Sequence, residues 1–194
     1  MPSPHLIALL VLLLAGCGGE SVPWHGRNIQ HVMPDLAFTL TDHAGHQVTA
    51  GDYRGKVVLL YFGYAHCDDV CPTTLATLTR AVRSLGEQAD QVRILFVSVD
   101  PQRDTPEVLH HHAMHFSPYV AGLTGNEKQL AEFAKRYRVS YSYGEQDAKG
   151  DYEVYHSSAI FVFDRDGKVR LLQEEKLGAE AIANDLRRLL NTSG

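Results

Sequence analysis

The stretch VVLLYFGYAHCDDVCP, residues 57–72, determines how the rest of this 194-residue chain is interpreted. Residues 57–64 form an almost unbroken apolar run, which is typical of a strand buried on both faces of a sheet. Pro72 suits the first turn of a helix, where its missing N–H costs no hydrogen bond. Two cysteines lie between the predicted strand and the helix. The stretch therefore predicts a strand–loop–helix unit with its chemistry at the carboxyl end of a strand, where open α/β sheets place their sites.

Strand and helix patterns alternate on both sides of this unit. Upstream, residues 34–40 have the rhythm of a short edge strand. Downstream, we expect a buried strand over residues 93–99, a helix from Pro106, a helix around residues 130–137, a strand over residues 158–163, its hairpin partner over residues 168–172 and a final helix around residues 182–190. This order predicts a mixed central sheet between helices, an α/β sandwich of three layers. The architecture resembles a thioredoxin-like fold with extra N-terminal strands and an inserted helix.

Composition and charge are those of an ordinary globular protein. The chain is 44% hydrophobic and 21% charged, and its 18 Lys and Arg against 23 Asp and Glu give a net charge of −5. A mildly acidic chain has no electrostatic reason to bind nucleic acid, so we predict no such partner. Three cysteines are too few for a disulfide-stapled scaffold, so each cysteine needs its own explanation.

The N-terminus has the features of a lipoprotein targeting segment. Residues 6–15 form an apolar run that is too short to cross a bilayer but has the length of a signal-peptide core. The run ends in LAGC, residues 14–17, which resembles the bacterial lipobox, whose cysteine is lipidated. We therefore expect a signal peptide over residues 1–16, a tether over residues 17–33 and a folded domain over residues 34–194. Cys17 would anchor the protein to a lipid membrane of a bacterial cell envelope, on the periplasmic side.

The other two cysteines, Cys67 and Cys71, are four residues apart and can share one face of a turn. In a regular helix such positions hold their Cβ atoms roughly 5–6 Å apart, whereas a disulfide needs about 3.5–4.5 Å. A metal ion about 2.3 Å from each sulfur tolerates the wider gap. The spacing therefore favours metal binding and leaves an oxidisable pair open. Because a helix N-terminus lowers the pKa of a thiol, we expect reactive sulfurs.

Two thiolates need a third ligand that is soft or borderline, and the chain has 11 histidines. His156 is the best placed of them, because it comes immediately before the strand predicted over residues 158–163. In a thioredoxin-like fold, the loop at that point packs beside the cysteine loop. No proline follows Pro118, so the proline that thioredoxin-type oxidoreductases carry in that loop has no counterpart here.

Several other polar residues have plainer interpretations. We expect Asp104 to cap the helix that follows it, and Asp100 to end its strand near the cysteine loop without acting as a ligand. Four histidines cluster on the helix after Pro106: His110, His111, His112 and His115. We expect them to form an exposed polar face, although two of them have the i, i+4 spacing of a metal-binding pair.

The chain resembles the Sco/SenC family, copper-binding assembly proteins of respiratory oxidases. Three segments carry the resemblance in order: YFGYAHCDDVCP at residues 61–72, VSVDPQRDTP at residues 97–106 and YEVYHS at residues 152–157. The resemblance extends from residue 34 to the C-terminus. Many family members have Pro after the first cysteine and Asp before the ligand histidine, whereas this chain has Asp68 and Tyr155 at those positions.

The resemblance implies a thioredoxin-like fold and copper, as Cu(I) or Cu(II), bound by Cys67, Cys71 and His156. It implies a metallochaperone that delivers copper to the dinuclear site of cytochrome c oxidase subunit II, or that prepares the thiols of that site by reducing their disulfide before metallation. A second hypothesis is a thiol–disulfide oxidoreductase of the cell envelope that uses the two cysteines as a redox-active pair in redox homeostasis or signalling. A peroxiredoxin-like peroxidase is disfavoured, because that family has Thr or Ser where this chain has Asp68.

Overall fold

A computed structural model describes residues 23–67, 70–174 and 176–192 of the chain. The strands are β1 (Arg27–Asn28), β2 (Thr39–Asp42), β3 (Gln47–Thr49), β4 (Val57–Gly63), β5 (Val92–Ser98), β6 (Val120–Thr124), β7 (Tyr141–Tyr143), β8 (Val154–His156), β9 (Ile160–Phe163) and β10 (Val169–Gln173). The α-helices are α1 (Val70–Arg83), α2 (Pro106–Phe116), α3 (Glu127–Arg136) and α4 (Ala179–Asn191).

Eight of the described strands form one mixed sheet in the order β1-β10-β9-β4-β5-β6-β2-β3. The strands β4, β5 and β6 run parallel, whereas the other pairs in the sheet are antiparallel. The strand β4 lies in the middle of this sheet and is buried along its whole length. Burial on both faces explains its continuous apolar sequence, which is the pattern that predicted it.

Helices cover both faces of the sheet. On one face, α1 packs against α4, and His112 of α2 lies against Phe96 of β5, whose ring is also close to Tyr61 of β4. On the opposite face, Phe133 of α3 packs against Phe62, with ring centroids 5.3 Å apart. Because successive side chains of a strand point to opposite faces, the neighbours Tyr61 and Phe62 belong to different layers. The predicted three-layer arrangement with a mixed sheet is therefore confirmed.

The edge strand predicted over residues 34–40 begins further along the chain, because β2 starts at Thr39. The residues before it lie against the fold without joining the sheet as a strand. Leu36 is buried, and its N–H donates to the carbonyl of Gly167 at 2.9 Å. The strand boundary was wrong because a buried leucine and hydrogen bonds to Asp35 and Leu36 hold this segment without a strand ladder.

The described part of the predicted tether packs against the domain. The strand β1 pairs antiparallel with β10 at the edge of the sheet. The carboxylate of Asp185, buried on α4, accepts the N–H groups of His25 and Gly26 at 3.1 and 2.8 Å. The folded part of the chain therefore begins ahead of Pro34, the predicted start of the domain.

Two features of the fold had no counterpart in the predicted elements. The strand β6 continues the parallel sheet beside β5, and its Gly122 lies so close to α2 that an added Cβ would be 3.0 Å from Cβ of Leu109. The strands β7 and β8 form a separate hairpin, in which His156 lies opposite Tyr141. A hairpin strand rather than a loop therefore carries His156.

Some predicted features lie outside the described residues, namely the signal peptide with Cys17, and Asp68 between the cysteines. Among the residues that the structure does describe, no helix is long and apolar enough to cross a membrane.

Candidate metal centre

Three elements converge at the carboxyl end of β4. Cys67 precedes α1, Cys71 lies in its first turn, and His156 is the last residue of β8. Cys71 Sγ is 3.1 Å from Nε2 of His156, although the two residues are 85 positions apart in the chain. The structure therefore brings a predicted sulfur and the predicted imidazole into direct contact.

The ring of His156 is oriented so that its lone pair faces this sulfur. Its Nδ1 lies 3.2 Å from the carbonyl oxygen of Ser157. Because a carbonyl only accepts hydrogen bonds, Nδ1 carries the proton and Nε2 is left as the acceptor. Tyr61 and Tyr64 meet the ring edge-on, with centroids 6.0 and 6.1 Å away. Two aromatic walls and one hydrogen bond thus hold His156 in the orientation of a metal-binding imidazole.

Cys71 is fully buried, and burial raises the pKa of its thiol to about 12. The nearby Cys67 raises this pKa further, through its charge and a hydrogen bond, while hydrogen bonds from the Tyr64 backbone and the Tyr61 side chain lower it. The expectation of a lowered thiol pKa is therefore wrong for Cys71, because desolvation outweighs the helix N-terminus. At neutral pH Cys71 is a thiol that donates to Nε2 of His156.

Cys67 occupies the more open side of the centre. Its thiol is half-buried, and its N–H donates to the carbonyl of Tyr64 at 3.4 Å. Burial raises the pKa of the Tyr64 hydroxyl to about 12. The charge of Cys67 and a hydrogen bond that the hydroxyl donates to Cys67 add to this shift, whereas a hydrogen bond from the Val154 backbone opposes it. Tyr64 therefore connects the cysteine loop to the hairpin that carries the histidine.

The two cysteines are free thiols in this structure. Within residues 23–67, 70–174 and 176–192, no three His, Cys, Asp or Glu side chains are already arranged to hold a metal ion. Cys71 and His156 are already in contact, and a three-ligand site with Cys67 requires these side chains to rearrange.

Gly63, the last residue of β4, lets the backbone pack directly against Sγ of Cys71. An added Cβ would lie 2.7 Å from the ring of Phe96 and 3.0 Å from Cys71 Sγ. Both distances are too short for ordinary contacts, so only glycine fits here without displacing a site residue.

Asp104 does not cap α2 as expected. The cap is Thr105, whose side chain accepts the N–H of Val108 at 3.3 Å. Asp104 is instead fully buried beneath the cysteine loop. Its Oδ2 accepts the Ala65 N–H at 2.7 Å and the Ser98 hydroxyl at 2.6 Å. Sequence analysis missed this role, because a carboxylate one residue before a threonine cap resembles a cap itself.

Asp100, which was predicted not to be a ligand, lies two residues after the end of β5 and holds the histidine hairpin. It is fully buried, and it accepts hydrogen bonds from Nε of Arg103 and, at 2.7 Å, from the hydroxyl of Tyr152. The Arg103 guanidinium lies 3.7 Å above the ring of Tyr152. The carboxylate, the cation and the ring together fix the hairpin against the sheet.

The histidines of α2 do not act as one polar face. His110, His111 and His115 are exposed as expected, and His110 also contacts the ring of His43, with centroids 5.3 Å apart. His112 differs, because its ring packs 5.0 Å from Phe96 and burial lowers its pKa. The expectation of exposure is therefore wrong for His112.

A cleft of about 940 Å³ opens beside Cys67 and His156. Tyr64, His66 and Arg103 line this cleft, and the hairpin contributes Glu153 and other acidic residues to its lining. The cleft gives external molecules access to the Cys67 side of the centre.

Comparison with known proteins identifies the family of this chain. The SCO1/SenC family model matches residues 29–191. The chain belongs to the SCO1/SenC family. It is 40% identical over 153 residues to Protein SCO2 homolog, mitochondrial, of Bos taurus, covering 78% of this chain and 58% of that protein. It is 36% identical over 132 residues to the SCO2-like protein of Rickettsia felis, covering 68% of this chain and 64% of that protein. The chain thus spans about six-tenths of these curated relatives.

A solved structure of the same family has a similar fold. Bradyrhizobium japonicum ScoI with copper bound superposes with a TM-score of 0.74 at 38% identity, covering 80% of this chain and 99% of that chain. This similarity confirms the predicted thioredoxin-like fold.

Proposed function

We propose that the protein binds copper through Cys67, Cys71 and His156 and delivers it to the dinuclear copper site of cytochrome c oxidase subunit II. The observation that carries this proposal is the 3.1 Å contact between Cys71 Sγ and His156 Nε2. Bradyrhizobium ScoI, a relative at 38% identity, has copper bound. Thiolates favour Cu(I) and imidazole suits both oxidation states, so the donor set matches the ion.

The distances at the centre are compatible with a bound ion. A metal about 2.3 Å from sulfur and about 2.0 Å from nitrogen separates these two atoms by roughly 3.1–3.6 Å. Cys71 and His156 therefore need to part by no more than a few tenths of an ångström, while the copper replaces the thiol proton of Cys71. With three ligands, the ion keeps a position open to a ligand from the recipient, which allows transfer by ligand exchange.

Anaerobic Cu(I) titration tests this proposal. The titration uses a fragment that lacks the predicted lipid anchor, and binding is followed by absorption and, after oxidation, by EPR. We expect one copper per chain, and we expect Cys67→Ser, Cys71→Ser and His156→Ala each to lose stoichiometric binding. His46→Ala is the matched control, because His46 is an exposed imidazole on the β2–β3 turn. Normal titration of the folded double cysteine variant would refute the site.

The recipient is tested with the isolated copper domain of subunit II. We expect the copper-loaded protein to metallate that domain, with copper appearing in its dinuclear absorption spectrum. Failure of transfer from a protein that does bind copper would contradict delivery and leave the binding site intact.

A second function of the same sulfurs is favoured by the difference in their exposure. Cys67 is half-buried and Cys71 is buried behind it, which suits an attacking thiol with a resolving partner. In that reaction the dithiol becomes a disulfide, and two electrons and two protons reduce a disulfide of the partner. Cys71→Ser would then accumulate a mixed disulfide through Cys67. If no mixed disulfide accumulates in this variant and the wild-type protein transfers copper normally, delivery remains as the function.

The lipobox supports membrane attachment at Cys17, after removal of residues 1–16. We expect the full chain to fractionate with bacterial membranes, facing the periplasm, and to incorporate labelled palmitate. Cys17→Ser should lose the label. A chain that carries the label equally in both forms would contradict the assignment.

A further inference from the structure

His66 lies immediately before Cys67, yet it is not part of the proposed ligand set. Its Nδ1 is 3.0 Å from Oδ1 of Asp104. The side chain of His66 is 45% exposed, whereas that of Asp104 is fully buried. The Nδ1 edge of the imidazole is therefore fixed to a buried carboxylate, and the ring also lines the cleft that Cys67 and His156 line.

The hydrogen bonds of Asp104 determine which nitrogen of His66 is free. Oδ2 already accepts the Ala65 N–H and the Ser98 hydroxyl, so Oδ1 faces His66. A carboxylate accepts hydrogen bonds and does not donate them. Nδ1 of His66 therefore carries a proton, and in the neutral imidazole the lone pair is on Nε2. A carboxylate bound to Nδ1 is the arrangement that orients metal-ligating histidines and increases their basicity.

His156 has the same tautomer for the same kind of reason, because its Nδ1 donates to the Ser157 carbonyl. The two imidazoles differ in depth: His156 contacts the buried Cys71, whereas His66 stands beside the half-buried Cys67. The centre thus has one sulfur–imidazole pair at the buried Cys71 and a second at the half-buried Cys67, where the cleft opens.

We propose that His66 is an accessory copper ligand, which binds the ion together with Cys67 at the mouth of the cleft as copper enters or leaves the inner site. This inference rests on the proposed function, since copper is the ion concerned. The step exchanges one ligand for another on the same ion. Neutral His66 Nε2 supplies a lone pair, no electron is transferred, and the bond to Asp104 is kept throughout.

The inference is tested in the His156→Ala background, which removes the inner imidazole and keeps Cys67, Cys71 and His66. We expect this variant to retain weak Cu(I) binding, measured by competition with a chromophoric chelator. Adding His66→Ala should weaken it by about tenfold or more. Adding His46→Ala instead should leave it unchanged, because His46 is exposed on a different turn.

A spectroscopic measurement separates ligation from a purely structural role. In the Cu(II)-loaded His156→Ala protein, we expect EPR nitrogen coupling that disappears with His66→Ala and changes with ¹⁵N-labelled histidine. Residual copper binding or nitrogen coupling that is unaffected by His66→Ala overturns the inference alone, as does complete loss of copper in His156→Ala. Absence of copper from the wild-type protein overturns the proposed function itself.

Discussion

Cys71 and Cys67 are close in the chain but occupy different surroundings. Cys71 is buried against Gly63 and the ring of His156, and burial raises its pKa to about 12. Cys67 is half-buried beside an open cleft. The inner half of the centre is thus fixed by packing, while the outer half is accessible.

This difference suits a protein that must both hold an ion and release it. In the proposed copper site, a rigid inner pair would supply affinity, because its ligands would lose little freedom when the ion binds. An accessible outer sulfur would supply a route for exchange, since an incoming ligand could approach without opening the core.

The largest expected difference concerns alkylation of the metal-free protein. A pKa of about 12 leaves Cys71 with a thiolate fraction about a thousandfold below that of an ordinary cysteine, which the greater nucleophilicity of a basic thiolate offsets only in part. With burial added, we expect Cys71 to react with iodoacetamide about a hundredfold more slowly than Cys67. Mass spectrometry of Cys67→Ser and Cys71→Ser measures each thiol separately. Equal rates in the folded variants would break the comparison, and equal rates in denaturant are the control.

The next prediction concerns the packing that fixes the inner half. Gly63→Ala places a methyl group 2.7 Å from Phe96 and 3.0 Å from Cys71 Sγ. Overpacking of this kind should lower the free energy of unfolding by about 2 kcal/mol, and it should weaken copper binding. Denaturant unfolding checks the first effect and competition titration the second. Gly178→Ala is the control, because an added Cβ there meets nothing within 4 Å. It should lower the free energy of unfolding by less than about 1 kcal/mol.

The protonated state of Cys71 also makes copper binding depend on pH. Below the thiol pKa, protons compete with copper, so lowering the pH weakens binding. Each displaced thiol proton changes the apparent affinity by about tenfold per pH unit. We expect calorimetry in buffers of different ionisation enthalpy to detect at least one released proton near neutral pH. A binding constant independent of pH would show that Cys71 is already a thiolate.

The sequence predicted the inner parts of the fold well. The apolar runs of β4, β5 and β9 are long enough to be recognised, because strands buried on both faces need apolar residues throughout. Strand β6 was missed because the apolar run of Val120–Thr124 is interrupted by Gly122, the glycine on which α2 packs. The hairpin of β7 and β8 was missed because its strands have only three residues each.

The sequence indicated which residues form the candidate site, but it did not indicate their surroundings. The motifs indicated Cys67, Cys71 and His156, but the pKa of Cys71 depends on burial that only tertiary packing creates. The role of Asp104 was also hidden. A carboxylate next to Thr105 fits a helix cap, and its burial under the cysteine loop depends on a contact with Ala65, 39 positions earlier in the chain, rather than on any local pattern.

The smallest expected effect concerns the hairpin that carries His156. Its Tyr152 hydroxyl donates to Asp100 at 2.7 Å, and the ring lies under Arg103. Tyr152→Phe keeps the ring and removes the hydrogen bond, which should cost about 1 kcal/mol of stability. If the inner half owes its rigidity to this attachment, copper affinity should fall by up to about fivefold in competition titration. Tyr155→Phe on the same hairpin, at an exposed side chain, should change neither quantity. Loss of stability without loss of affinity would mean that the aromatic walls formed by Tyr61 and Tyr64 are sufficient to hold His156 in place.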